Sequence, residues 1–469
     1  MATTTKLAHE KELFRHPVGL YILFFTEMWE RFSYYGMRAL FTLFLVAETT
    51  GRNAGFGWSN EEALALYGWY TMLVYVSSIP GGWIADRFLG QKKTVMLGGA
   101  LLCIGHAVLA FDSETSFYIG CFFIILGVGC LKPNISSMVG GLYKPKDERR
   151  DMGFYIFYMG INIGGFLAPI LCGYIGEKIN WHYGFGLAAI GMFLGQAVYV
   201  WGQKYLVHVG NLISRNDEKN IEMLDTPLTN VEKDRIKVLL ISFLLIILFW
   251  AAFEQAGGLM NLYASQKTDR DFFGLFVVPA SVFQSVNSFF IIILATAVGG
   301  FWVRWRRKGK ESSSLFKIAV GFIIMALGFG FMSAASLQYE SNGSSAMYWL
   351  ILAYLFHTVG ELCSSPVSLS YITKLAPLKY ASIIMGLYWA ATGLGNKVAG
   401  LIGEVSQDLG EFEIFTGIAV IWSLIGICII LALKPLKRLA HGAEDGEGKV
   451  SDTVQEDFEI KGHGPAAGA

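Results

Sequence analysis

The chain has 469 residues, of which 54% are hydrophobic and only 16% charged. A soluble chain of this length would divide into about three domains separated by charged surfaces, and the repeated long apolar runs exclude that. Lys and Arg (37) balance Asp and Glu (37), so no basic surface points to a nucleic acid. Residues 1–16 are polar and carry no secretory leader, so the first apolar run is expected to stay in the protein as a membrane span.

A helix needs about 20 apolar residues to cross a bilayer. That length predicts about twelve spans, near 17–46, 62–84, 94–112, 117–139, 153–177, 182–205, 236–263, 272–303, 314–336, 346–372, 380–404 and 412–434. One set of loops holds Arg87, Lys92, Lys93, Lys144, Lys146, Arg149 and Arg150, then Arg304, Arg306, Arg307, Lys308, Lys310, Lys374 and Lys379. The alternate loops hold Arg52, Lys178, Lys267 and Arg270. The basic side reads as cytoplasmic, which places both termini there and predicts a multi-pass protein of the cell (inner) membrane. The polar stretch 206–235 divides the chain into a bundle over 17–205 and a second over 236–434. Residues 1–16 form a cytoplasmic segment, and the Gly-rich acidic stretch 435–469 reads as a disordered cytoplasmic tail.

Charges inside the apolar runs carry the functional signal, because a charged side chain at mid-bilayer costs at least ~2.5 kcal/mol. In the first span Glu27, Glu30, Arg31 and Arg38 share one helix face at 100° per residue. They fit either a proton or solute path or a permanent ion-pair network that only fixes packing. Lys132 follows Gly127 and Gly129 and precedes Pro133, in a segment built for close helix approach. Glu254 lies in the seventh span and Glu361 in the tenth, so a charge in corresponding helices of the two halves suggests an internal repeat around a central cavity. His106 and His357 read as packing or hydrogen-bonding residues. Trp29, Trp69, Trp83, Trp302 and Trp305 fit interface anchors, whereas Trp250 and Trp389 lie deep enough to wall a pocket. All six cysteines sit in apolar runs as packing residues. No phosphate loop, nucleophile elbow or metal-ligand cluster is evident, so neither an enzyme nor a cofactor nor a metal is expected.

The run Gly81-Gly82-Trp83-Ile84-Ala85-Asp86-Arg87-Phe88-Leu89-Gly90-Gln91-Lys92-Lys93 resembles the loop between spans two and three of major facilitator transporters. In it Asp86 and Arg87 are positioned to latch neighbouring helices. Glu27-Met28-Trp29-Glu30-Arg31-Phe32-Ser33-Tyr34-Tyr35 is more specific: it resembles the first-helix signature of the proton-coupled oligopeptide transporters. Phe154 to Phe166, Phe249 to Gln255 and Gly360 to Pro366 are similar to that family's fifth-, seventh- and tenth-helix motifs. The resemblance spans residues 17–434 and implies an all-α membrane protein of the major facilitator fold, with two six-helix bundles. It also implies import of di- and tripeptides, and of peptide-like drugs as a wider class, driven by the proton gradient and performed by a monomer in the lipid bilayer.

By that resemblance Glu27, Glu30, Arg31 and Glu254 couple protons. Arg38 and Lys132 face the peptide carboxylate, Glu361 takes the amine, and Asn162 and Asn287 read the backbone. Tyr35, Tyr75, Trp250 and Trp389 shape the pocket, and the pairs Arg38 with Glu254 and Lys132 with Glu361 gate the outer side. Two departures stand out: the extra helical hairpin of many bacterial members is absent from 206–235, and Gly68 occupies the place where animal members carry a His. A related carrier of another anion or zwitterion, such as nitrate, and a non-transporting membrane receptor remain alternatives.

Overall fold

The computed structural model describes residues 11–143, 147, 149–212, 228–377 and 380–443. The expectations for residues 1–10, Lys144, Lys146, Lys379, the middle of the 206–235 linker and the end of the tail lie outside the described residues. Each of the twelve expected spans overlaps a helix. In chain order these are α1 (Val18–Val46), α2 (Asn60–Val76), α3 (Ser78–Ile84), α4 (Gln91–Leu109), α5 (Glu114–Gly141), α6 (Arg149–Lys178), α7 (Trp181–Trp201), α8 (Asn230–Phe253) and α9 (Leu259–Gln266). They continue with α10 (Ser285–Arg307), α11 (Ser314–Asn342), α12 (Tyr348–Leu375), α13 (Ala381–Leu409), α14 (Glu411–Leu431) and α15 (Leu433–Ala440). Among the described residues nine helical segments are long and apolar enough to cross a membrane. The other expected spans are helical too: α1 and α13, 29 residues each, carry ionisable groups along their length, and α2 has 17 residues. Long helices are the expected form, since a bilayer offers no water to satisfy a free backbone.

Three boundaries differ from the sequence reading for identifiable reasons. The eighth span was expected from residue 272, but Asp271–Phe272 and Phe276–Val277 pair as a small antiparallel hairpin. Gly274 turns this hairpin with φ +74°, and helix α10 begins only at Ser285, after Pro279; a run of Phe, Leu and Val suits a strand as well as a helix. The seventh span starts six residues earlier than expected, because Thr229 and Glu232 form a reciprocal capping box at the α8 N-terminus. The expected tail at 435–469 begins inside a helix: α15 packs on α8, with Leu433, Leu436 and Ala440 buried. Arg235 Nε donates to the Ala440 carbonyl at 3.2 Å, and His441 Nε2 lies 2.9 Å from Asp234 Oδ2.

The chain packs as two compact units. The first takes the described residues of Met1–Leu40 and Leu73–Ser214, and the second those of Phe41–Met72 and Arg215–Ser451. The end of α1 and most of α2 thus group with the C-terminal helices. Within the first unit α4 packs on α5 and α7, and α6 on α7. Within the second, α11 packs on α12 and α14, and α8 on α13.

Small residues set how closely these helices approach. Gly164 of α6 faces the α1 backbone, where a Cβ would lie 2.3 Å from the Met28 carbonyl oxygen and 3.0 Å from Arg31 Cβ. Ala is favoured over Gly in a helix interior by about 1 kcal/mol, but overpacking against a backbone atom costs about 1–3 kcal/mol. The clash wins, and Gly164→Ala is expected to lower the melting temperature of the purified protein, measured in detergent against the parent. An unchanged or higher midpoint would show that the α1–α6 contact has slack.

Of the six cysteines, all but Cys428 are buried. Trp302, expected at the interface, is buried, whereas Trp83 and Trp69 are about half exposed. His106 is fully buried, with no hydrogen-bond partner for either ring nitrogen among the described residues. His357 is equally enclosed and lies against Phe329, ring centroids 4.4 Å apart. Both are packing residues here.

Candidate functional site

In the first unit the three charged residues at the start of the α1 signature form one buried cluster. Arg31 Nε lies 3.0 Å from Glu27 Oε1 and 2.5 Å from Glu30 Oε2. The Glu30 side chain is fully buried, and those of Glu27 and Arg31 are 4% and 5% exposed. The helix brings them together, since i and i+4 share a face, and the glycine notch at 164 holds α6 against that stretch. Two carboxylates share one guanidinium, so with both ionised the cluster carries one negative charge in excess. The Arg31 guanidinium also sits 5.5 Å from the centre of the Tyr34 ring, and that of Arg38 sits 5.7 Å from the Tyr35 ring.

Lys132 projects from α5 over the ring of Tyr75, its ammonium 3.8 Å from the centroid. The local sequence explains how α5 is placed. Pro133 has no N–H for the Gly129 carbonyl, and that oxygen is the atom on which Gly81 of α3 packs, so close that a Cβ at 81 could not be accommodated. Asn134 Nδ2 donates to the Cys130 carbonyl at 2.8 Å, and Ser77 Oγ donates to Ile125 O at 2.8 Å. Tyr75 stands at this junction, where α2 gives way to α3. Asn162 is buried and donates its amide to the Tyr158 carbonyl at 3.0 Å. Asp86 and Arg87 are exposed in the single π turn Ala85–Leu89, and the Arg87 guanidinium lies over the Trp83 ring at 5.5 Å.

In the second unit Glu361 of α12 is half-buried and accepts a hydrogen bond from Asn287 Nδ2 of α10 at 2.9 Å. The same amide donates to Thr358 Oγ1 at 3.0 Å. Glu361 is therefore a tethered carboxylate, not the lone one that the tenth span alone suggests, and Asn287 divides its amide donors between Glu361 and Thr358. Glu254 has left the helix: α8 ends at Phe253, and Glu254–Ala256 form a 3-10 turn before Gly257 and Gly258. Its carboxylate is buried and accepts a hydrogen bond from the Tyr67 hydroxyl of α2 at 3.0 Å. Asn261 Nδ2 donates to Thr42 Oγ1 at 3.2 Å. Gln255 Nε2 donates to the Ala399 carbonyl at 3.0 Å. Trp250 lines a small pocket with Phe249, Phe322, Ser364 and Tyr371, and Trp389 packs edge-on against Tyr388 at 5.2 Å.

Sequence reasoning missed Tyr67, Thr42 and Asn261. Each is a neutral polar residue in an apolar run, and only the partner's position shows what it holds. The Glu254–Gln255 pair followed by Gly257-Gly258 was the available signal, since two glycines after two polar residues mark a helix break. Among the described residues no group of three or more His, Cys, Asp or Glu is placed to hold a metal ion.

The family model described as "POT family" matches residues 92–216 and 211–412. A peptide transporter of Yersinia enterocolitica subsp. palearctica is 36% identical, over 95% of this chain and 99% of the relative. A di-/tripeptide transporter of Lactococcus lactis subsp. lactis is 33% identical, over 92% of this chain and 98% of its own. The crystal structure of a POT peptide transporter in complex with sulfate superposes with a TM-score of 0.85 at 34% identity, covering 92% of this chain and 97% of that one. The helical architecture, the buried α1 signature and these matches together place the chain in the POT family of membrane transporters.

Proposed function

We propose that the protein imports di- and tripeptides with protons by alternating access. The observation that carries the reading is the buried Glu27–Arg31–Glu30 cluster on α1 in a chain whose relatives are named as peptide transporters. Three ionisable groups with one surplus negative charge, out of contact with water, form a group that takes up a proton at low energetic cost once a neighbouring charge moves. Lys132 and Arg38 of the first unit are the cations for the peptide carboxylate, and Glu361 of the second is the anion for its amine. Asn162, Tyr35, Tyr75, Trp250 and Trp389 complete the contacts. Asn287 acts through Glu361, which it orients.

Glu254 works as a gate and proton residue through its place at the α8 break, together with Arg38. Lys132 with Glu361, and the exposed Asp86–Arg87 turn, are the other gating elements. The protein acts as a monomer in the cell (inner) membrane with both termini cytoplasmic, uses the proton gradient as its energy source, and catalyses no covalent chemistry.

The amine end gives a direct test. Hydrogen bonds to a charged group contribute about 1.5–3 kcal/mol, and each 1.4 kcal/mol is tenfold in affinity. Glu361→Gln is expected to weaken binding of free dipeptides by roughly tenfold or more and binding of their N-acetylated forms little. Competition binding on the purified protein measures both. Equal losses would place Glu361 in folding or gating and not on the amine.

A further inference from the structure

Helix α10 is the least enclosed of the long apolar helices: only 17% of its apolar window is buried inside the protein. Phe289, Ile293 and Phe301 are 44–53% exposed along it, so this side of the second unit is an open apolar wall of the kind that suits lipid tails. The wall ends abruptly in Arg304, Arg307 and Lys308, all exposed. Spaced i, i+3 and i+4, these three cations share one face of the last helical turn. Lys310, just beyond, lays its ammonium over the Trp305 ring at 4.1 Å, and Trp rings favour the level of the headgroups.

The helix C-terminus alone does not account for so many cations, and a second element extends the platform. Helix α15 turns Leu433, Leu436 and Ala440 inward and leaves Lys434 and Arg438 exposed. It is fixed in place at both of its neighbours, the α8 start and Glu311. Lys437 Nζ lies 3.1 Å from Glu311 Oε2, which joins α15 to the end of the Arg304–Lys310 stretch. Burial acts upward on the Glu311 carboxyl, but the hydrogen bonds from Ser313 and the Lys437 ammonium outweigh it and hold it well below its ordinary value. The Glu311 carboxylate beside the platform is thus already engaged. The stretch in the first half of the chain that also begins Gly-Gly, at Gly81-Gly82, carries Asp86; its counterpart from Gly299-Gly300 has no acid before Glu311.

We propose that the Arg304–Lys310 stretch and α15 together bind the phosphate headgroups of anionic phospholipids. The site is preorganised, its cations stand where an apolar wall meets the headgroup layer, and Arg304 and Arg307 supply the planar donors that suit a phosphate. The proposal does not depend on which solute the protein carries.

The test uses the full chain in detergent, titrated with phosphatidylglycerol, with phosphatidylcholine, or with inorganic phosphate, reading the melting midpoint and retained lipid. Phosphatidylglycerol is expected to raise the midpoint where the other two do not, and added salt to remove the effect. The R304Q/R307Q/K308Q variant should need roughly tenfold or more lipid for half-effect, since each cation at an anionic surface contributes a several-fold factor. The K92Q/K93Q variant in the first unit should need no more than the parent. Equal effects of the two lipids, or an unshifted titration in the triple variant, would overturn the proposal. Inorganic phosphate matching phosphatidylglycerol would show a free-anion site instead. If the triple variant fails to fold, the single variants R304Q and R307Q are titrated in the same way, and an unshifted titration in both would overturn the proposal.

Discussion

Replacing Glu30 by Gln is expected to abolish gradient-driven peptide accumulation and to leave counterflow exchange running. Glu30 is the fully buried member of the α1 cluster. Removing its charge still leaves Arg31 paired with Glu27 at 3.0 Å, so the variant does not strand a buried cation, which would cost about 3–5 kcal/mol. Glu and Gln have nearly the same shape, and the helix should form as before. What the amide cannot do is exchange a proton: it fixes the cluster in the neutral balance that the parent reaches only when protonated. Exchange of peptide for peptide needs no net proton movement and so survives; accumulation against a gradient needs it and fails. Both assays on one reconstituted sample decide the matter. Full accumulation by the variant would remove Glu30 from coupling, and loss of both activities would show a purely structural cluster.

The second large effect is expected at Lys132. The Lys132 ammonium is held over the face of Tyr75, where the ring helps to compensate it, and it is the cation we assign to the peptide carboxylate. Losing one partner of a charge pair that substrate binding seals from water costs about 2–5 kcal/mol, so Lys132→Ala should weaken dipeptide binding by roughly 30-fold or more and bring uptake to background. The discriminating comparison is a dipeptide against its C-terminal amide. The parent should strongly prefer the free acid, and the variant should treat the two alike. A variant that binds weakly yet keeps the preference would assign the carboxylate to another cation, with Arg38 the first candidate.

The helix order was legible in the sequence because hydrophobic length in a bilayer has one solution. So was the α1 cluster, because four charges in one apolar run, three of them within five residues, leave few arrangements. Boundaries failed where local chemistry overrode hydropathy: the Phe272–Val277 hairpin is as apolar as a span, and the Thr229 capping box lies in a polar stretch that hydropathy ignores. The Tyr67–Glu254 and Asn287–Glu361 contacts could not be read at all. Each joins residues 187 and 74 positions apart, respectively, and nothing in either local segment names its partner. The grouping of Phe41–Met72 with the C-terminal helices is of the same kind, since it rests on contacts such as Asn261 with Thr42 and Gly68 against Gly400.

The most direct measurement is uptake of labelled dialanine into proteoliposomes of the purified protein, with and without an inwardly directed proton gradient. The account predicts accumulation above the external concentration with the gradient, collapse to equilibration when a protonophore is added, and competition by unlabelled tripeptide. Uptake indifferent to the gradient, or no uptake of di- or tripeptide by a folded protein, would contradict it.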